Sequence, residues 1–221
     1  MRPKSVLIGK DPEALVTLLS IHCSVENPQI LDVTYNEGRI WKGLNYHPVR
    51  MDIDWQHPVD IVADFAAIPI ADESFDVIVF DPPHLPTSAA NHTSSKIWEK
   101  RFGATANGKG RSGPNVVGMF APFLLEASRV LKKGGIVLAK IVDLINNHRY
   151  QWQQVEFVNC CWQCGLTPCD MLIKCDRCKA NLTSSTWKSV RHLRMAHCYW
   201  VVVRKPVWSI ATSPHESGLA P

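Results

Sequence analysis

The apolar run Phe75-Asp76-Val77-Ile78-Val79-Phe80 ends in Asp81-Pro82-Pro83-His84. A buried strand rarely finishes on an acid, two prolines and a flat ring. Proline lacks an N–H and fixes φ, so the pair stops the ladder and leaves carbonyls without strand partners. The acid then stands at the carboxyl end of a strand, where open α/β sheets bind ligands. A carboxylate and a freed carbonyl can both accept from one amino group, and the His84 ring can stack on a flat one. These parts suit an exocyclic –NH2 on a planar base.

Upstream, acids fall at the ends of three earlier apolar runs. Asp32 closes Gln29–Val33 and leads into Thr34-Tyr35-Asn36-Glu37-Gly38, a loop in which Asn36 and Gly38 tolerate left-handed backbone. Such a turn brings backbone close to a nucleotide or nucleoside. About twenty residues on, Asp52 and Asp54 lie at the end of a second run. They share a face, because side chains alternate along a strand. Asp52 is favoured for ribose hydroxyls, since Asp54 falls nearer the loop. Asp64-Phe65 ends a third run, with an acid for an adenine amino group and a ring to stack on the base. Acids at successive strand ends are what a nucleoside cofactor requires.

The elements that position these residues follow from periodicity. Asp11 to His22 has helical spacing; short strands are expected at 29–33, 49–54, 60–64 and 75–80. A helix from about Val116 to Lys132 presents Phe120, Phe123, Leu124, Ala127, Val130 and Leu131 on one side, with Gly134-Gly135 as its C-cap. A strand at 136–142, a helix at 150–164 stopped by Gly165, and strands at 170–174 and 199–204 complete the pattern. Alternation of strand and helix predicts an α/β, Rossmann-like sheet, mostly parallel, with helices on both faces and an antiparallel last strand. Residues 1–205 are expected to form one domain and 206–221 a flexible tail.

Composition sets the outer bounds. At 221 residues the chain can bury one large core, and 46% apolar against 20% charged is ordinary for a soluble enzyme. No run of 18 apolar residues is present and the start is unlike a secretory leader, so a cytoplasmic protein without membrane spans is expected. A net charge of +4 permits a nucleic-acid partner without requiring one. Eight cysteines, six of them between Cys160 and Cys178, read as thiols or metal ligands rather than disulfides.

With these residues in order, the chain over roughly 29–205 resembles the class I S-adenosylmethionine-dependent methyltransferases. More narrowly, it resembles the amino-methylating DNA methyltransferases, which carry an Asp/Asn/Ser-Pro-Pro-aromatic motif. The segment from Phe120 to Lys133 with Gly134-Gly135 and a following strand is also similar to that superfamily. Here His84 stands where a larger ring is commoner, and Asn36-Glu37 where a glycine-rich loop is usual. The resemblance implies S-adenosylmethionine held by Asp32, Tyr35, Asn36, Gly38, Asp52, Asp64 and Phe65. It implies methyl transfer to an adenine or cytosine amine held by Asp81 and the Pro82 carbonyl, with Pro83 and His84 completing the motif. In a duplex that base is flipped out of the stack first.

The stretch after the motif, 84–115, is long and polar and is expected to be a mobile substrate loop. Its Lys96, Lys100, Arg101, Lys109 and Arg111, against Glu99, would meet nucleic-acid phosphates without reading sequence. Target choice would then come from this loop, from the irregular insertion 175–197, or from a partner protein. Within that insertion Cys175, Cys178, His192 and His197 have spacing close to a Cys2His2 zinc site. The apolar residues of a ββα finger are not in place, so no metal is assigned. Cys161 and Cys164 sit one helical turn apart and read as packing. RNA or another amine is the alternative substrate; a non-catalytic nucleic-acid-binding protein on the same fold is the alternative of a different kind.

Overall fold

A computed structural model describes residues 4–83, 116–146, 149–175 and 195–207. His84, the five basic residues Lys96, Lys100, Arg101, Lys109 and Arg111, and the candidate ligands Cys178 and His192 lie outside the described residues.

In chain order the elements are β1 (Val6–Ile8), α1 (Asp11–His22), β2 (Ile30–Asp32), a 3-10 turn (Arg39–Trp41), β3 (Val49–Asp52), β4 (Ile61–Val62) and β5 (Phe75–Phe80). They continue with α2 (Val116–Val130), β6 (Leu131–Ile141), the hairpin β7 (Leu144–Asn146) and β8 (Arg149–Gln151), α3 (Gln153–Gln163), β9 (Thr167–Cys175) and β10 (His197–Arg204). Eight strands form one sheet in the order β1-β9-β10-β6-β5-β2-β3-β4. All neighbours are parallel except β10, which runs antiparallel to both β6 and β9.

The order explains where the site falls. From β2 the chain steps outward to β3 and β4, then returns to place β5 on the other side of β2. The crevice between β2 and β5 is therefore a topological switch point, and ligands bind at the carboxyl ends of strands there. Asp32 and Asp81 end or follow those two strands.

β5 can be central because five of its six residues are buried, only Asp76 being part-exposed. On one face Leu31, Ile78, Phe80, Val137, Ala139 and Val201 meet Phe120, Phe123, Leu124 and Ala127 of α2 and Phe157 and Cys161 of α3. On the other, Ile30, Val77, Val79, Leu138, Trp200 and Val202 meet Ala14, Leu15, Leu18 and Leu19 of α1, with Ile40 and Trp41. Pro12 at the start of α1, Asp11 and Glu13 in its first turn and His22 in its last suit the helix ends and their dipole.

Three expectations need correction. The glycines at 134–135 do not cap α2. The helix stops at Val130, and Leu131 already pairs with Phe75. Gly134, at φ +78°, instead turns the chain within Leu131–Ile141, and a Cβ on Gly135 would press on the carbonyls of Lys132 and Asp76. The helix expected from Tyr150 begins at Gln153, because Arg149–Gln151 pairs in the β7–β8 hairpin. Buried Asp143 organises this corner, accepting from the Gln154 N–H at 3.0 Å and the Tyr150 hydroxyl at 3.1 Å. The short strand β1 was not anticipated; three residues carry too little periodicity to register. Gly165 does stop α3, at φ +73°.

Candidate functional site

At the switch point the loop after β2 and the end of β5 are joined directly. The Asp81 N–H donates to Thr34 Oγ1 at 2.7 Å, and the Thr34 N–H donates to Asp32 Oδ1 at 3.0 Å. Asp32 is fully buried and also accepts from Trp41 Nε1 at 2.6 Å. Burial pushes its carboxyl up to about 7, opposed by the bonds from Trp41 and Thr34 and assisted by the charges of Asp81 and Asp52. The acid at the base of the crevice is thus poised near neutrality.

The loop from Thr34 to Gly38 has the left-handed residues its sequence allows: Asn36 at φ +50° and Gly38 at φ +63°. A Cβ on Gly38 would meet the hydroxyl end of the Tyr35 side chain, which would have to shift, and the positive φ itself favours glycine. Asp52, the last residue of β3, accepts from the Asn36 N–H at 2.8 Å and the Asp54 N–H at 3.0 Å. It therefore shapes the loop. A carboxylate offers about four acceptor directions, which leaves capacity for ribose hydroxyls.

Asp64 accepts from the Ala66 N–H at 2.9 Å, an Asx turn at the end of the third run. The Phe65 ring, placed by sequence against an adenine, stands edge-on to Phe80 at 5.4 Å and Phe123 at 6.1 Å and is part-buried. A cavity of about 740 Å³ opens beside the loop, lined by Tyr35, Gly38, Trp41, Arg50 and Asp60 among others. Neither Asp52 nor Asp81 lines it.

The carboxylate of Asp81 is held from below the crevice. Lys140 Nζ, on β6, lies 3.1 Å from Asp81 Oδ2 and 3.1 Å from Asp11 Oδ2. Asp11 Oδ1 accepts from Trp200 Nε1 at 3.2 Å and lies 3.4 Å from Lys174 Nζ. Burial opposes the charge on Lys140, but the two carboxylates outweigh it and hold its pKa above the ordinary lysine value. The neighbouring Cys198 thiol is pushed up to about 12, first by burial, and stays neutral.

Sequence reasoning brought Asp32, Asn36, Gly38, Asp52 and Asp81 to one crevice. It missed Thr34, Trp41, Lys140 and Asp11. The one available signal was Lys140, a lone charge in the apolar run Ile136–Val142. Of the zinc candidates, Cys175 and His197 are cross-strand partners on β9 and β10. His197 Nε2 lies 2.9 Å from Tyr199 Oη. Among the described residues no group of three or more His, Cys, Asp or Glu side chains could hold a metal ion. Cys161 is buried in the core, and burial raises the pKa of Cys160, Cys161 and Cys164 alike. No described helix is long and apolar enough to cross a membrane.

No protein-family model matches the sequence, and no curated protein matches it significantly. Solved structures do. An S-adenosylmethionine-dependent methyltransferase from Methanosarcina mazei aligns over 86% of this chain and 98% of its own, at 12% identity and a TM-score of 0.52. A candidate methyltransferase from Haloferax volcanii, in complex with the Trm112 methyltransferase activator, aligns over 87% and 88%, at 14% identity and a TM-score of 0.53. A candidate DNA modification methylase from Thermus thermophilus aligns over only 62% of this chain, at 14% identity and a TM-score of 0.39. The chain spans 47% of that protein. Strand order and the first two likenesses together define the fold as the Rossmann-like class I methyltransferase fold, mostly parallel with β10 antiparallel.

Proposed function

We propose that the protein transfers a methyl group from S-adenosylmethionine to an exocyclic amine of a base in DNA. The observation that carries this reading is the place of Asp81-Pro82 at the switch point, locked to the loop after β2 through Thr34. The fold supports the methyl donor, since the solved structures it resembles over most of its length include an S-adenosylmethionine-dependent methyltransferase. Residues that suit the donor are at hand. Gly38 admits close backbone approach, Asp52 ends β3 with acceptor capacity for ribose hydroxyls, and Asp32 is a buried acid near its titration point that a nearby cation would ionise. When bound, S-adenosylmethionine supplies an electrophilic methyl on sulfonium.

The rest is positioning by this chain. Asp81 and the Pro82 carbonyl accept from the two N–H groups of the amine, which turns its lone pair toward the methyl group. Prolines at 82 and 83 contribute no competing N–H donors. In-line transfer then draws its rate largely from alignment. His84 as the stacking ring, and Lys96, Lys100, Arg101, Lys109 and Arg111 as phosphate contacts, belong to this reading. So does a partner protein that supplies target choice.

The deciding experiment is transfer of tritiated methyl from S-adenosylmethionine to DNA, RNA and protein substrates in parallel. Incorporation into DNA that Asp81→Ala abolishes, with cofactor affinity within about threefold of wild type, is the expected result. Incorporation into RNA alone would move the substrate, and no calorimetric binding of the cofactor at millimolar concentration would leave a non-catalytic binding protein.

A further inference from the structure

The Asp-Pro-Pro sequence has a gap in its own support. Prolines at 82 and 83 provide no backbone N–H to fix the preceding carboxylate. An acid meant to aim an amine must be fixed by something else. Lys140 is placed to do so, because β5 and β6 run parallel with Phe80 opposite Ala139, which sets Asp81 and Lys140 one step further along adjacent strands. Lysine alone is a poor clamp, a point charge on a flexible four-carbon stem. A second anchor is therefore informative. Asp11 Oδ2 takes the same ammonium at 3.1 Å, and Asp11 is itself fixed by the Trp200 indole and Lys174. Trp200 is fully buried and lies directly across from Lys140 on β10. Among the described residues, two carboxylates and two ammonium groups stand together here. Their side chains are between 6% and 20% exposed, so the attractions are little screened.

We infer that Lys140 and Asp11 are positioning residues for Asp81, and that helix α1 thereby takes part in methyl transfer without touching the substrate. The inference rests on the reading of Asp81 as the amine acceptor. Holding Oδ2 fixes the plane of the carboxylate, and with it the direction from which an amine can be met. An ammonium this close favours the ionised form of a carboxylate. An ionised carboxylate only accepts, whereas a protonated one would present a donor to the donors of the amine.

The test uses the full chain, tritiated-methyl S-adenosylmethionine, and genomic DNA from a strain lacking adenine and cytosine methyltransferases. Lys140→Met is expected to lower kcat about a hundredfold, with KM for DNA and cofactor affinity within about threefold, since misplacement by an ångström has that scale of effect. Lys140→Arg should recover about tenfold of the loss, because it keeps the charge and the donors. Asp11→Asn, which keeps the volume, should lower kcat by about tenfold through a looser Lys140. A loss in KM instead of kcat, or no rescue by arginine, would overturn the inference. A second readout does not need activity: the carboxyl titration of Asp81 followed by carbon-13 NMR. Among the described residues, the charged and titratable groups about Asp81 are Asp11 from α1, Asp32 from β2, Lys140 from β6, Lys174 from β9 and Cys198 from β10. In Lys140→Met the titration should move up, because the neighbouring positive charge is gone. Should that variant not fold, Asp11→Asn and Lys140→Arg carry both measurements. For Asp11→Asn a changed Asp81 titration is expected. If wild type methylates no DNA, the proposed function falls while the titration still decides the positioning. An Asp81 titration unchanged in every variant overturns it.

Discussion

The buried acid Asp32 makes the stability of this protein depend on pH in a direction opposite to that of most carboxylates. Its carboxyl is raised from 3.8 to about 7, chiefly by burial. Between those values the folded chain keeps a proton that the unfolded chain has released. Stability is therefore highest below about pH 4 as far as this group is concerned. It falls as pH rises to about 7 and is flat above. At about 1.4 kcal/mol per unit the full change is about 4 kcal/mol, a large share of a typical domain's stability. Asparagine at this position cannot titrate. The difference in unfolding free energy between wild type and Asp32→Asn should thus change by about 4 kcal/mol across the window, in favour of the variant at the high end. A constant offset is expected from the amide, which presents a donor to either Trp41 Nε1 or the Thr34 N–H; the pH slope is the diagnostic quantity. Urea unfolding of both proteins at intervals of half a unit, followed by tryptophan fluorescence, measures it. Parallel profiles for the two proteins would refute the assignment of a raised, buried carboxyl. Trp41→Phe removes the donor that opposes the shift and should carry the titration higher still.

Other outcomes follow from packing and backbone geometry. Gly38→Ala forces a non-glycine residue to φ +63° and drives a methyl group against Tyr35, so cofactor affinity measured by calorimetry should fall about tenfold or more. Phe123 is fully buried and stacks on Phe80 with centroids 3.9 Å apart; Phe123→Ala should cost about 3–5 kcal/mol in denaturant unfolding. Because that stack backs the strand leading to Asp81, transfer should weaken in the same variant at temperatures where it remains folded.

Much of the scaffold was legible because its signals are local. The run of β5, apolar but for Asp76, the period of α1 and the glycine at 165 each announce themselves within a few residues. Positive φ at Asn36 likewise followed from residue type alone. What escaped has a different physical origin. Gly134-Gly135 looks like a helix cap in sequence, yet the competing pairing of Leu131 with Phe75 ends α2 earlier. The packing of the Phe65 ring with Phe80 and Phe123, 15 and 58 residues away, is likewise not announced by its own neighbours in sequence. Lys140 and Asp11 join only through the sheet order, which no spacing in the chain encodes.

The bond between Asp11 and Trp200 spans 189 positions, and β1 pairs with β9 at Val6 and Ile173. At roughly 5–20 residues per second, a ribosome needs about ten to forty seconds to make the chain between Asp11 and Trp200. Through that interval the first helix of a nascent chain has no indole to hold its leading acid, and the charges around Asp81 remain unassembled. A nascent chain would thus carry the Asp81-Pro82-Pro83 sequence long before the anchor of Asp11 exists. Ordering of His197–Arg204 is the event that supplies the Trp200 indole to the cluster.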